Sequence, residues 1–183
     1  MAGEIWIPTG VINTPMLWIN EYLRYNVPEL TGLPSFPFFP STPSTIADLT
    51  EYFNNSTQGV AATWDRLIRM RRSPFPHIKQ EQALYYFYAQ GADPVITMIK
   101  IQEAVLRLMD REDESAAEVN AWTKDREIQG LTCKFYFHKF RIYQLEETRD
   151  IIDFGTARTF GGNKIIIDFE YHQHKDVVGS INS

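Results

Sequence analysis

The residues of this chain best suited to chemistry are its four histidines, His77, His138, His172 and His174. His172 and His174 lie two positions apart in a stretch that alternates like a strand, so both imidazoles are expected on one face. Two imidazoles on one face are able to share a metal ion. An exposed strand near a chain end often carries such a stripe, however, and the pattern therefore predicts no metal site.

Two carboxylates, Asp168 and Glu170, extend the same stripe and raise the question of acid–base catalysis. Nothing in the pattern removes either carboxylate from water, which is the usual way to separate two carboxyl pKa values. Cys133 lies in an aromatic strand pattern typical of a core residue rather than a nucleophile. Gly161 and Gly162 precede a strand instead of a helix, which indicates a hairpin turn and not a phosphate-binding loop. The sequence therefore predicts neither an enzyme nor a cofactor.

Two charge clusters are candidates for contact with another molecule. Four arginines lie between residues 66 and 72, and four acids lie between residues 110 and 114. The arginines suit nucleic acid, solvent or the carboxylates of a neighbouring subunit, because a planar guanidinium binds carboxylates well. A closed ring would repeat such a contact at every junction. The candidates for a subunit interface are Arg69, Arg71 and Arg72 on one side and Asp110, Glu112 and Asp113 on the other.

The strand that carries the carboxylates and two of the histidines is the clearest element, from Lys164 to Tyr171. Apart from Ile166, its apolar residues alternate with polar ones, which indicates a sheet with one buried face; the apolar side consists of Ile165, Ile167, Phe169 and Tyr171. A turn at residues 160–163 and a long loop from Glu146 to Gly162 precede it. The run Leu131–Leu145 is apolar on both sides, as in a central strand or one that meets a second subunit. In that run Phe140 is predicted to share a side with Tyr136, His138 and Ile142, opposite Cys133, Phe135, Phe137, Tyr143 and Leu145.

The middle of the chain predicts two strands and two helices. The stretch Val60–Arg72 fits both periodicities, and we interpret it as a strand because a Pro-rich turn and a second extended segment, Ile78–Ala89, follow it. Asp93 is predicted to cap a helix over Pro94–Met109. Ser115 and Glu118 have the spacing of a capping box, which predicts a short helix through Trp122.

The N-terminal part combines helix signals with many prolines. Thr14 is predicted to cap a helix that starts at Pro15 and ends near Tyr25. The stretch Asn26–Ser44 contains five prolines among phenylalanines, which predicts an extended arm lying across its own domain or a neighbouring subunit. Ser44 or Thr45 is predicted to cap a short helix over residues 46–53.

These elements predict an α+β fold, with an antiparallel or mixed sheet covered on one face by the long helix at residues 94–109. Residues 1–59 would form the N-terminal helix and proline-rich arm, and residues 60–183 the α+β domain, as one continuous unit. A hydrophobic content of 44%, a formal charge of −5 and a single cysteine indicate a folded, soluble protein without an intrachain disulfide. The sequence predicts neither a signal peptide nor a membrane helix.

Three segments resemble the tail terminators, or tail-completion proteins, of long-tailed bacteriophages. They are WDRLIRMRRSPFPHIKQEQALYYFYA (64–89), RLMDREDESAAEVNAW (107–122) and FYFHKFRIYQLEETRDIIDFGTARTFGGNKIIIDFEYH (135–172). The resemblance lies in the style of sequence and the order of elements, and the proline-rich arm has no counterpart in it. It implies a small α+β domain that forms a ring in the virion neck, typically a hexamer, without catalytic residues.

Such a ring is expected to assemble in the host cytoplasm, to cap the tail tube and to join it to the head connector. Its partners would be further copies of the chain, tail-tube and sheath proteins and portal-side proteins, with no membrane. DNA would pass through without specific binding, and a lumen of like charge would not retard it. Asp168 and Glu170 are the lumen candidates, although an outward position fits the sequence equally well. The alternatives are another connector or baseplate component, or a non-catalytic ligand-binding α+β module.

Overall fold

The computed structural model describes residues 12–55, 59–67, 77–91, 93–148 and 160–174. Within these ranges the chain is α+β, as predicted, with four helices and seven strands. The helices are α1 (Pro15–Thr31), α2 (Pro43–Asn54), α3 (Pro94–Met109) and α4 (Asp113–Thr123). The strands are β1 (Phe38–Pro40), β2 (Gly59–Leu67), β3 (Lys79–Gln90), β4 (Glu127–Ile128), β5 (Leu131–Thr132), β6 (Phe135–Thr148) and β7 (Phe160–Gln173). No helix in these ranges is long and apolar enough to cross a membrane.

Five strands form the main sheet in the order β1-β2-β3-β7-β6, and β4 pairs with β5 in a separate ribbon. β1 runs parallel to β2, whereas the other neighbours in the main sheet are antiparallel, so this sheet is mixed. The predicted strands that became β2 and β3 are confirmed within the described ranges, as is α3. Its cap is also confirmed, because the Asp93 side chain accepts a hydrogen bond from the Ile96 amide at 3.2 Å.

One face of the sheet, called the inner face here, contributes side chains to the main hydrophobic core, to which helices also contribute. Alternate residues of β3 and β7 on this face are buried together with residues of α1, α3 and α4; the strand residues are Ala83, Tyr85, Phe87, Ile165, Ile167, Phe169 and Tyr171. Two buried hydrogen bonds fix helices to the strands. Tyr85 Oη donates to Asn20 Oδ1 at 2.6 Å, and Asn163 Nδ2 donates to the Met98 carbonyl at 3.0 Å.

The opposite face of the sheet, the outer face, is apolar at one end and, apart from Ile166, polar over the rest of β7. Ala61 and Tyr88, which are register partners, form a second hydrophobic cluster with Leu49 and Phe53 of α2 and with Phe39. Because Tyr88 pairs with Gly162, this cluster lies at the end of the sheet where β7 begins. The other end, near Tyr171, has no such cover among the described residues and carries the polar side chains considered below.

The predicted end of the first helix near Tyr25 is wrong, because α1 continues through Pro28 to Thr31. A proline in the last turn removes only one late helical hydrogen bond, and the buried Val27 holds this turn in the core. Gly32 caps the helix after Thr31: its φ of 71° favours glycine, and its amide donates to the Pro28 carbonyl at 2.8 Å. The proline-rich arm is therefore shorter than predicted, and it lies across its own domain, where Phe36 and Phe38 are buried.

Two predicted helix caps are also wrong. α2 begins one turn earlier than expected, with Thr42 as its N-cap, and the Thr42 amide donates to Thr45 Oγ1 at 3.2 Å. α4 begins at Asp113 with Glu112 as the N-cap, so Ser115 lies inside the first turn. Ser115 Oγ instead accepts from the Arg111 amide at 3.2 Å. In both helices the side chain at the third helical position, Thr45 or Ser115, accepts a hydrogen bond from an amide at or just before the N-cap.

The predicted run Leu131–Leu145 is divided between β5 and β6, and β6 is an edge strand rather than a central one. Register shifts occur between Phe137 and Lys139 and between Ile142 and Gln144. A bulge reverses the alternation, and the first shift places Phe140 in the main core together with Phe135 and Phe137. The predicted side for Phe140 is therefore wrong.

Residues 160–163 do not form the predicted hairpin turn, because β7 already begins at Phe160. β6 likewise extends to Thr148, so only residues 149–159 of the predicted long loop remain between the strands, and they lie outside the described residues. Gly162 pairs with both Tyr88 and Thr148, which makes it a residue of a central strand. The absence of a side chain at 161 and 162 hid this strand from a prediction based on alternating polarity.

Candidate functional site

The polar part of the outer face contains the predicted carboxylate stripe. Asp168 Oδ1 accepts from Gln82 Nε2 at 2.5 Å, and Glu170 Oε1 accepts from Gln80 Nε2 at 2.5 Å. Both carboxylates are half-buried. The register partners of Asp168 and Glu170 on the neighbouring strand β6 are cationic: they are Arg141 and Lys139. These four residues, Gln80 and Gln82 line one shallow pocket. This surface therefore carries both signs of charge rather than acid alone.

The acidic cluster that precedes α4 is largely engaged within the chain. Asp110 Oδ1 accepts from the Ile142 amide at 3.0 Å, and the Glu112 carbonyl accepts from the Phe140 amide at 3.4 Å. The Glu112 carboxylate also pairs with Lys139 at 3.3 Å. Asp113 lies in the first turn of α4, where a negative charge suits the helix dipole. Two of the three acidic interface candidates thus fasten the α3–α4 turn to β6.

The basic candidates Arg69, Arg71 and Arg72 lie outside the described residues. Arg66, the first arginine of that stretch, is described, and its guanidinium binds both carboxylate oxygens of Glu81, one of them at 2.8 Å. Glu81 is 7% exposed and also accepts from Tyr171 Oη at 2.6 Å. Burial raises the pKa of Tyr171, and the hydrogen bond to Glu81 raises it further. Arg66 is therefore part of an internal network.

Sequence reasoning missed Glu81, although a signal was present. In β3 alternate residues face the core, and the buried Glu81 occupies one of these positions, followed by Ala83 and Tyr85. An acid in a buried apolar stripe needs a charged or hydrogen-bonding partner. The nearby arginine stretch offered one, because Arg66 and Ala83 are register partners in the sheet.

The histidines are brought together much more closely than the sequence predicted. Nε2 of His138 lies 2.7 Å from Nδ1 of His172, and the His172 ring centre is 5.3 Å from that of His174 and 6.4 Å from that of His77. Tyr136, the register partner of His172, lies against the same rings. The missing signal was the β6–β7 register, which the sequence alone does not supply.

The environment of His172 favours its neutral form. Burial lowers the pKa of His172, and charge on His138, His174 and His77 lowers it further. Neutral imidazoles are metal ligands, but no group of three or more histidine, cysteine, aspartate or glutamate residues in the described ranges is arranged to hold a metal ion. His172 instead stands at the centre, with the other rings around it.

Cys133 does not have the surroundings of an activated nucleophile. Its thiol is half-buried against the core, and burial raises its pKa. Sγ donates to the Phe135 carbonyl at 3.4 Å. A raised thiol pKa lowers the thiolate fraction at neutral pH, so this side chain is suited to packing rather than attack.

Comparison of the sequence with protein-family models gives no match, and comparison with curated proteins gives none either. The surfaces just described and the three segments quoted above are therefore the basis for any functional conclusion.

Proposed function

We propose that this chain is a virion structural protein, a tail terminator or neck-ring subunit of a long-tailed bacteriophage. In this role it caps the tail tube, joins it to the head connector and lets DNA pass without specific binding. The proposal is supported by the resemblance of segments 64–89, 107–122 and 135–172 to that family. It is also supported by agreement between the α+β class that the resemblance implies and the class of this fold.

The structural observation that carries the proposal is an apolar surface at the start of α3. Val95, Ile96 and Ile99 are 63%, 51% and 44% exposed. Residues at these spacings lie on neighbouring parts of one helix surface, and adjoining exposed apolar side chains are typical of protein contacts. A groove at this surface is lined by Leu33, Ile96 and Lys100, together with residues at the start of β2 and the end of β3. A subunit of a ring requires such a surface for its neighbour.

The charged contacts of the ring are also part of the proposal. The next subunit would supply acids that bind Arg69, Arg71 and Arg72. Because Asp110 and Glu112 already have intrachain partners, Asp113 is the acidic candidate for the first test. Asp168 and Glu170 remain candidates for the lumen. Their cationic register partners make the repulsion of DNA weaker than a purely acidic lumen would give.

We further propose that α3 is the helix that covers the inner face of the sheet. The Asn163–Met98 hydrogen bond joins α3 to β7, and Ile101 and Val105 belong to the same core as Ile165 and Ile167. This arrangement leaves the first turns of α3 to carry the exposed apolar surface, since the buried side of the helix is occupied by the sheet and α1.

Light scattering combined with negative-stain microscopy tests the proposed function. The protein is measured alone and with purified tail tubes, because such a ring is able to use the tail as its template. We expect ring-shaped particles with a central hole and the mass of about six subunits in at least one sample. A compact monomer in both samples would contradict the proposal and would favour the ligand-binding module.

A pair of variants separates the α3 surface from general effects on solubility. Ile96→Glu places a charge at the proposed subunit contact and is expected to abolish ring formation. Ile46→Glu makes the same change on α2, where Ile46 is 63% exposed, and should leave the rings intact. Circular dichroism of both variants checks that each keeps its helices.

A further inference from the structure

All four histidines of the chain lie at one corner of the sheet, although they come from three separate segments. We infer that these residues, His77, His138, His172 and His174, form a proton-sensitive latch that joins the ends of β6 and β7 to the segment entering β3. The latch is closed when the imidazoles are neutral and opens when several of them are protonated. This inference is independent of the proposed function.

The central contact of the latch forms only while at least one of its two imidazoles is neutral. Nε2 of His138 and Nδ1 of His172 are 2.7 Å apart, a distance at which one nitrogen donates and the other accepts. When both His138 and His172 are protonated, every ring nitrogen carries a hydrogen, so two donors face each other and the bond is lost. This contact joins β6 to β7, and it therefore breaks between the strands rather than within one of them.

The surrounding rings increase the effect of protonation. The ring centre of His172 is 4.9 Å from that of His138, 5.3 Å from that of His174 and 6.4 Å from that of His77. Positive charges at these separations repel one another more strongly at a partly buried site than in bulk water. The Tyr136 ring packs against the rings of His138, His172 and His174.

The charged residues near the latch do little to neutralise these positive charges. On β7, Glu170 lies two positions before His172, but its register partner on β6 is a cation, Lys139. On β6 the charged residues on either side of Tyr136 and His138 are both lysines, Lys134 and Lys139. Lys79, at the start of β3, adds another cation near His77.

The sign of the pH effect follows from the direction of the pKa. Burial and the neighbouring histidines hold the pKa of His172 below its ordinary value of about 6.5. In the open form the pKa of His172 would return to that ordinary value, so the open form binds more protons than the closed form. Opening is therefore favoured as pH falls through about 6.5, and the latch is closed above that pH.

The expected opening is local. The last strand pairs near the latch are Phe135 with Gln173 and Tyr136 with His172, and the His174 amide donates to the Lys134 carbonyl at 2.8 Å. These hydrogen bonds lie at the end of the sheet opposite the α2 cluster. We expect them to open while the rest of the sheet stays paired.

Hydrogen exchange of the intact protein at pH 7.5 and pH 5.5, corrected for the intrinsic rate at each pH, tests the latch. Protection of the Tyr136, His172 and His174 amides should fall at least about tenfold at the lower pH, while protection in β2 and the middle of β3 stays the same. In His138→Gln/His172→Gln the local fall should be no more than about twofold, since neither glutamine titrates.

Two results would overturn the inference. One is equal local protection at the two pH values in the wild-type protein. The other is the same local fall in the double variant. If that variant does not fold, proton NMR of the wild-type imidazoles gives an independent measurement. The pKa of His172 should lie below its ordinary value of about 6.5, and a His172 pKa at or above that value would reject the latch.

Discussion

At the scale of single residues, the strongest constraint is the buried carboxylate of Glu81. It accepts from Arg66 on β2 and from Tyr171 on β7, so one side chain on β3 joins three neighbouring strands. The Arg66 side chain is 39% exposed, and water therefore weakens its part of the network. Tyr171 Oη is the buried donor, and its loss leaves a carboxylate oxygen without that partner.

Replacement of Tyr171 by phenylalanine measures this contribution. We expect Tyr171→Phe to lower the free energy of unfolding by about 1.5 kcal/mol, because a hydrogen bond to a buried charged group is lost. Tyr143→Phe is the matched control, since Tyr143 is 51% exposed, and its effect should stay below about 0.5 kcal/mol. Urea unfolding of the three proteins gives both values, and equal stabilities would show that Tyr171 Oη is not needed.

At the scale of elements, β6 shows how an edge strand is protected. Asn120 of α4 binds Phe137 twice: its Nδ2 donates to the carbonyl at 2.8 Å, and its Oδ1 accepts from the amide at 2.9 Å. Glu112 and Asp110 bind the next exposed amides of the strand, at Phe140 and Ile142. Residues 137–142 are thus covered by the turn and helix that precede them, which prevents pairing with another chain there.

Asn120→Ala tests this protection. Two hydrogen bonds to the strand are lost, and after allowing for the better helix propensity of alanine we expect destabilisation of about 1.5 kcal/mol. Glu103→Ala, at an exposed position of α3, is the control and should change the stability by less than about 0.5 kcal/mol. Thermal unfolding measures the stability of both variants. Concentration-dependent aggregation of Asn120→Ala, but not of Glu103→Ala, would show that the strand edge has been opened.

The elements also show which features a sequence can predict. The alternation at residues 164–171 and the Asp93-Pro94 start of α3 are local signals, and both are confirmed. The reversal at Phe140 depends on a bulge, and the contact of His138 with His172 depends on the β6–β7 register. Pro28 lies within α1 because tertiary packing of Val27 outweighs a local breaker. These three missed features are thus fixed by tertiary contacts, whereas the two wrong caps concern hydrogen bonds within one helical turn.

At the scale of the whole molecule, the N-terminal part and the sheet share one core. Trp18, Leu23 and Phe36 are buried in the same cluster as Phe87 and Ile167. Any assembly must therefore use surfaces that this core leaves available, which include the start of α3, the acidic start of α4 and the polar part of the outer face. These surfaces carry different chemistry, as a ring subunit with several partners would require.

Charge reversal tests whether the arginine stretch joins subunits of the proposed ring. Arg71→Glu/Arg72→Glu should weaken assembly by placing acids opposite the acids of the next subunit, with little effect on the folded monomer. Lys79→Glu/Lys124→Glu is the control, since it makes the same change in net charge at two exposed positions. Sedimentation at low and at about 0.5 M salt measures assembly, and salt should reduce the difference between the variants.

Adding Asp113→Lys to the arginine variant then tests the proposed acidic partner. It restores opposite charges across the junction and should recover part of the assembly, although a lysine in the first turn of α4 costs that helix about 0.5 kcal/mol. Recovery would identify Asp113 as the partner of the arginine stretch. Unchanged assembly after the original reversal would remove Arg71 and Arg72 from the subunit contact and leave the apolar surface of α3 as its main component.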